Sequence, residues 1–407
     1  MVRTAVRSCL VIILGAACSG DRAAQTGAVV SDSAGVTIVD NGILDPSLDL
    51  LAAENPILQI GVIEGQEEYQ LFRVSDIKRL SDGGIVVANA GSRELRLYNA
   101  DGRHRATVGG AGRGPSEFRY PSAIRALPGD TIEVQDFMDR VLFTADGEYL
   151  RREVTDRAAF SALWAQTGGS SEGAQWTADG TLFAPVYHWN QTPRTPGPLY
   201  RPNMILVRVS ADFSTVDTLG TYGGILQQYI AAGSDDQVFS VVPPFASYTL
   251  WAIGSSDGAV VIGDNANPQF ERFGADGSHT IVRWSAPAQT ITNEEVEQWK
   301  DRQRNAQWTR GQLPMLERAW AGMDIPDTKH YYGQVGTGSD GTMWVGPGDE
   351  RQDTTTLRAF GVDGGYLGTL KVPGWFTPYD SGPGWILGLL RDENEVEFVQ
   401  LFQLVTR

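Results

Sequence analysis

Only two cysteines occur in 407 residues, Cys9 and Cys18, and both fall in the first eighteen positions. No disulfide can staple the body of the chain, and no cysteine-based zinc site can form there. Histidine is equally scarce, with His104, His188, His279 and His330 as the whole set. None stands at the i, i+4 spacing of a metal-binding helix. Basic residues are outnumbered, 33 Lys and Arg against 49 Asp and Glu, for a formal net charge of −16. Such a chain repels phosphate backbones, so a nucleic-acid partner is not expected. Beyond the N-terminus no segment approaches 18 continuous apolar residues.

Glycine is abundant at 47 residues, beside 11 tryptophans. Many glycines with many aromatics point to tight turns between short strands. The dipeptide Asp-Gly recurs eight times, beginning at Asp82, Asp101, Asp146, Asp179, Asp257, Asp276, Asp340 and Asp363. Between alternating apolar runs it is a hairpin signal, because both residues tolerate positive φ. Asp101 and Asp146 lie 45 residues apart, which fits a blade period of roughly 40–45 residues.

Five units share one pattern of strand, turn, strand, loop, strand, turn, strand. The first runs through Ile77, Asp82-Gly83, Ile85-Val-Val-Ala88, Leu95-Arg-Leu-Tyr98 and Asp101-Gly102. The others centre on Thr131-Ile-Glu-Val134, Thr181-Leu-Phe-Ala184, Ala259-Val-Val-Ile262 and Thr342-Met-Trp-Val345. Four antiparallel strands make one propeller blade. The expected fold is an all-β propeller over residues 35–407. Six blades is the count, with seven as the alternative if Leu51 to Gly61 and Gly374 to Asp380 hold further strand. Trp385 to Leu404 supplies the last unit. The isolated strand Gly35-Val-Thr-Ile-Val-Asp40 is expected to join that blade and close the ring, removing an edge open to aggregation.

Gly109-Gly-Ala-Gly-Arg-Gly-Pro-Ser-Glu-Phe118, then Pro121, Val134-Gln-Asp136 and Arg140-Val141, resembles an NHL-type repeat. The resemblance implies a six-bladed ring of the kind found in propeller lipoproteins, and a fold does not carry a function. NHL-like lyases hold zinc on central histidines. This chain lacks the matching residues, and that activity is not carried over.

Arg3 and Arg7 precede the apolar run Cys9 to Ala17, which is too short to span a bilayer. Residues 1–17 read as a cleavable signal. Leu14-Gly15-Ala16-Ala17-Cys18 resembles a bacterial lipobox, departing from it in having Gly15 three positions before the cysteine. It implies lipidation of Cys18, a tether over 18–34, and attachment to a bacterial membrane facing the periplasm or cell surface.

Two insertions enlarge the blades. Pro185 to Asn203 carries five prolines and the candidate contact aromatics Tyr187, Trp189 and Tyr200. Thr292-x-x-Glu295 is a capping box that opens a helical insertion over about 292–321. Trp299 and Trp320 are its candidate contact residues.

No catalytic residues are assigned. Gly169-Ser-Ser-Glu-Gly173 and Gly254-Ser-Ser-Asp-Gly258 match G-x-S-x-G, but neither follows a strand to open a helix. Asn89, Asp136, Asp264 and Asn265 follow the second strand of their units at equivalent places and form a candidate oxygen site for calcium. Their alternative role is to cap loop backbone. The leading expectation is a monomeric binding or scaffold module for a protein, peptide or glycan, without a cofactor. The alternative is a metal-dependent, lactonase-like hydrolase or lyase with its site in the central channel.

Overall fold

The computed structural model describes residues 27–167, 170–171, 173–187, 195–231, 238–254, 256–306, 311–348 and 353–406. Cys18, Trp189 and the residues expected as signal peptide lie outside them. The described chain is a six-bladed β-propeller of antiparallel sheets. Blade 1 comprises Val74–Arg79, Ile85–Asn89, Glu94–Tyr98 and His104–Gly109. Blade 2 comprises Pro121–Leu127, Thr131–Asp136, Asp139–Phe143 and Tyr149–Glu153. Blade 3 begins with the short pieces Ser170–Ser171 and Gln175–Trp176 and continues through Leu182–Tyr187, Asn203–Val209 and Val216–Gly223. Blade 4 is Thr249–Ile253, Val260–Asp264, Gln269–Phe273 and His279–Ser285. Blade 5 is Gln334–Thr337, Met343–Gly346, Thr354–Phe360 and Tyr366–Pro373. Blade 6 takes Trp375–Gly382, Trp385–Arg391 and Glu397–Thr406 from the C-terminus.

All eight Asp-Gly glycines have positive φ, from 63° at Gly258 to 87° at Gly147. At Gly364 a Cβ would also lie 2.8 Å from Val282, so the turn of blade 5 is seated against blade 4. The run Ile85-Val-Val-Ala88 is buried on both sides because successive side chains point to opposite sheet faces. Ile85 and Val87 pack with Leu387, Leu389, Val399 and Leu401 of blade 6. Val86 and Ala88 pack with Ile124, Ile132, Val134 and Val141 of blade 2. Each such side chain contributes roughly 1.5–3 kcal/mol by leaving water.

Ring closure differs from the expectation. The fourth strand of blade 6 is Leu58–Ile60, which pairs antiparallel with Val399–Leu401. Val36–Ile43, which contains the expected closing strand, instead runs parallel to the outer strand of blade 4. Asp49–Ala52 lies between blades 5 and 6, pairing with the outer strand of blade 5 and with the C-terminal end of the third strand of blade 6. The N-terminal segment is therefore a strap along three blade edges. Asn41 fixes it by donating to the Gly364 carbonyl at 3.1 Å and accepting from the Tyr366 amide at 2.8 Å. Val29–Ser33, inside the stretch expected as tether, folds back on Val36–Asp40 as a hairpin. The additional strands at Leu51 to Gly61 and Gly374 to Asp380 fill existing blades, so they do not make a seventh.

The capping box is present: Thr292 accepts from the Glu295 amide, and Glu295 accepts from the Thr292 amide. The hydrogen bond from Lys329 contributes most to holding the Glu295 carboxyl down at about 2. Helices α1 (Arg157–Thr167), α2 (Asn293–Asn305) and α3 (Leu313–Ala321) decorate the ring. A hairpin, Gln228–Ala231 with Val238–Val241, packs beside α3. These last three elements form a cap. They connect outer-strand ends to inner-strand starts, which places them on the leading face of the ring. Helix α1 and the hairpin were not anticipated.

Buried charge joins blades 2 and 3. Arg125 is ion-paired to Glu133 and donates to the Trp176 carbonyl. Arg140 lies 3.6 Å from Glu133 and 2.5 Å from Glu153. Desolvation lowers the Arg125 guanidinium to about 10. Glu133→Ala strands that cation, and urea unfolding is expected to show a loss of roughly 3–5 kcal/mol. Adding Arg125→Met should recover most of it. A single-variant loss under about 1 kcal/mol would contradict a tightly coupled pair.

Candidate functional site

The four residues expected as an oxygen site are engaged within the ring. Asn89 Oδ1 accepts from the Phe72 amide at 2.7 Å, and Asn265 Oδ1 accepts from the Tyr248 amide at 2.7 Å. Asp136 Oδ1 accepts from the Arg119 and Tyr120 amides, both at 2.8 Å. Its Oδ2 receives Arg152 at 2.9 Å. Asp264 receives the Arg201 guanidinium, 3.0 Å from both oxygens. Asn89, Asp136 and Asn265 thus hold the loop that leads into the inner strand of their own blade. Asp264 is held by its ion pair to Arg201. Among the described residues no group of three His, Cys, Asp or Glu side chains could hold a metal ion.

Tyr187, Tyr200, Trp299 and Trp320, the candidate contact aromatics among the described residues, all pack against other side chains. Trp299 and Trp320 meet edge to face at 5.6 Å in the cap core, where Trp320 is buried. Tyr200 stacks on Tyr229 at 5.7 Å, and its hydroxyl accepts from Gln227 Nε2 at 2.6 Å. Tyr187 packs against the core between blades 3 and 4.

A different site lies on the trailing face, between blades 3 and 4. Their hairpin turns border a cavity of about 490 Å³, within the range of small-molecule sites. Phe183 and Leu219 supply apolar surface from blade 3, and Phe273 from blade 4. Asp179, Arg208 and Asp257 line it with charge. Asp257 is paired to Arg272 at 2.6 Å, and Arg208 to Asp217 at 3.0 Å. Hydrogen bonds from the Thr177 hydroxyl and the Thr181 amide hold the Asp179 carboxyl below its ordinary value.

His279 carries the most chemistry in this cavity. It sits directly opposite Phe273 across the Asp276-Gly277 hairpin, and Glu271 is two residues back along the same strand. The period of two puts Glu271 and Phe273 on one sheet face. The Phe273 ring stacks on the imidazole at 4.3 Å and 21°. His279 Nε2 lies 2.6 Å from Glu271 Oε2. A carboxylate has no proton to give, so the ring nitrogen donates. The Tyr222 hydroxyl of blade 3 is pushed far above the ordinary value, mainly by burial and then by the Glu271 charge. Glu271 therefore orients the His279 ring and places a negative charge close to Tyr222 of the neighbouring blade. No serine or threonine hydroxyl is hydrogen-bonded to the His279 ring among the described residues, so no nucleophile–base pair is assembled there. The chain can orient a ligand or accept a hydrogen bond through the second ring nitrogen.

No protein-family model matches the chain, and no curated protein matches it in sequence. Several solved structures align with it as whole rings. A member of the DUF4221 family from Bacteroides vulgatus is 8% identical, covering 88% of this chain and 99% of its own, with TM-score 0.46. The calcium-binding protein regucalcin from Agrobacterium tumefaciens is 12% identical, covering 88% and 97%, with TM-score 0.39. Virginiamycin B lyase from Staphylococcus aureus is 8% identical, covering 86% and 99%, with TM-score 0.38. No activity transfers at such identities.

Histidine side-chain 15N NMR checks the His279 geometry. The neutral ring is expected to carry its proton on Nε2, and Glu271→Ala should remove the hydrogen-bonded shift of that nitrogen. A ring protonated on Nδ1 in the unsubstituted protein would contradict the Glu271 contact.

Proposed function

We propose that the protein is an exported, lipid-anchored ring that binds a ligand, with the cavity between blades 3 and 4 as its binding site. The observation that carries this reading is an apolar surface of Phe183, Leu219 and Phe273 beside an oriented imidazole. That combination suits a small amphipathic molecule, or one side chain of a peptide, with an apolar body and one hydrogen-bonding edge. Binding is favoured over catalysis because His279 is oriented by Glu271 and, among the described residues, no serine or threonine hydroxyl is hydrogen-bonded to its ring.

The sequence supports export and anchoring through the apolar run Cys9 to Ala17 and the lipobox-like Leu14 to Cys18. The tether would reach the ring at Val29–Ser33, on the outer edge of blade 4. The same blade forms one wall of the cavity, so the site would lie near the attachment point without being covered by it.

Anilinonaphthalene sulfonate, an amphipathic fluorophore, is a suitable probe. It is expected to bind the full chain at one saturable site with enhanced emission. Leu219→Trp fills the cavity from its blade 3 wall. It should weaken binding at least tenfold, or about 1.4 kcal/mol, with the melting temperature retained. Equal binding to both proteins would overturn the assignment.

A further inference from the structure

Arg79, the last residue of the inner strand of blade 1, has no ion pair or side-chain hydrogen bond among the described residues. Its Nε is buried and has no partner. Its guanidinium lies over the Trp385 ring of blade 6, 4.8 Å from the centroid. The side chain lines a second cavity of about 400 Å³. Leu80 and Ser81 of blade 1, Ala126 of blade 2, Ser256 of blade 4 and Ser339 of blade 5 complete the lining with Trp385. Residues of five blades can share one cavity only near the ring axis, so this one closes the trailing end of the central channel.

We propose that this axial cavity binds an organic carboxylate, with Arg79 as the anion-recognising residue. A guanidinium presents five donors in a planar fork that matches a carboxylate. Burying part of it without an acceptor is costly, and an incoming carboxylate removes that cost. The nearest protein acids are committed elsewhere. Asp380 accepts from Ser339 N and Oγ at 3.0 and 2.6 Å, from Ser381 N at 2.9 Å, and from Arg79's own backbone amide at 3.2 Å. Asp130 holds Ser81 through its amide at 3.1 Å and its hydroxyl at 2.5 Å. Arg79 is the one cation in the lining, which suits a monoanion better than a phosphate. Trp385, Leu80 and Ala126 offer apolar surface for a flat body attached to the acid. The Ser256 hydroxyl, unspent among the described residues, adds one donor. Ser256 also borders the cavity between blades 3 and 4, but this site stands on its own observations.

Isothermal titration of the full chain with benzoate, benzamide and inorganic phosphate at fixed ionic strength tests the proposal. Benzoate is expected to saturate one site and to bind at least tenfold tighter than either of the others. Arg79→Gln should abolish the preference for benzoate over benzamide. Ala126→Phe, which fills the cavity and keeps the guanidinium, should weaken benzoate tenfold or more. Ligand-free melting curves report whether each variant is folded. A peptide ending in phenylalanine, with free or amidated C-terminus, shows whether the acid comes from a small molecule or a chain end. Tighter binding of either free acid supports the carboxylate site. Benzoate that fails to bind, binds no better than benzamide, binds more weakly than phosphate, or binds both variants as it binds the unsubstituted protein would overturn it.

Discussion

Six inner strands meet around the axis without pairing to one another, and this constraint organises the rest of the ring. Each leaves backbone groups facing its neighbour, and a buried unpaired group costs as much as a lost hydrogen bond. Side chains fill the gap. Ser75 donates to the Pro121 carbonyl at 2.6 Å, and Asp76 accepts from the Ile124 amide at 2.7 Å, joining blades 1 and 2. Gln135 donates to Ala174 at 2.7 Å, joining blades 2 and 3. Asp380 reaches both blade 5 and blade 1, and Lys78 donates to the Tyr379 carbonyl at 2.8 Å. Burial pushes the Asp76 carboxyl up despite Lys78 at 3.9 Å. Polar residues in the channel thus belong to the frame first. Arg79 stands out against them because its guanidinium makes no hydrogen bond across a blade boundary among the described residues and only stacks on Trp385.

The two faces of the ring divide the work. The cap of α2, α3 and the hairpin occupies the leading face, and its tryptophans are spent on its own core. Both cavities open on the trailing face, bordered by the Asp-Gly turns and the ends of inner strands. Those turns are short and pinned by aspartate side chains, as where Asp257 accepts from the Ala259 amide at 3.0 Å. A binding site built on such turns is held by rigid elements.

Much of the frame was legible in sequence because its signals are local. Asp-Gly marks a turn wherever it stands, and a run such as Ile85-Val-Val-Ala88 reports burial on both faces. The capping box at Thr292 is likewise a four-residue signal. Ring closure is not local: Val36–Ile43 and Leu58–Ile60 are both short apolar strands, and nothing within either says which distant edge it will join. The oxygen-bearing residues at the strand ends stand at matching places in the sequence, but such matching applies as well to a repeated backbone cap as to a shared centre. His279 was visible just past its turn, with Phe273 opposite and Glu271 two residues behind. The opposite wall, Phe183 and Leu219, comes from another blade, and no spacing along the chain links it to them. Arg79 is not legible in sequence because its distinction, a guanidinium without a hydrogen-bond partner among the described residues, is one that only packing reveals.

The account's central claim is that ligands enter between blades 3 and 4 beside His279, and the four histidines allow a direct check. Side-chain shifts of 15N-labelled histidine would be followed as anilinonaphthalene sulfonate is added to the full chain. The account predicts that His279 moves along a one-site isotherm while His104, on the outer strand of blade 1, stays still. Saturable binding that leaves His279 unmoved, or that shifts His104 in its place, would contradict it.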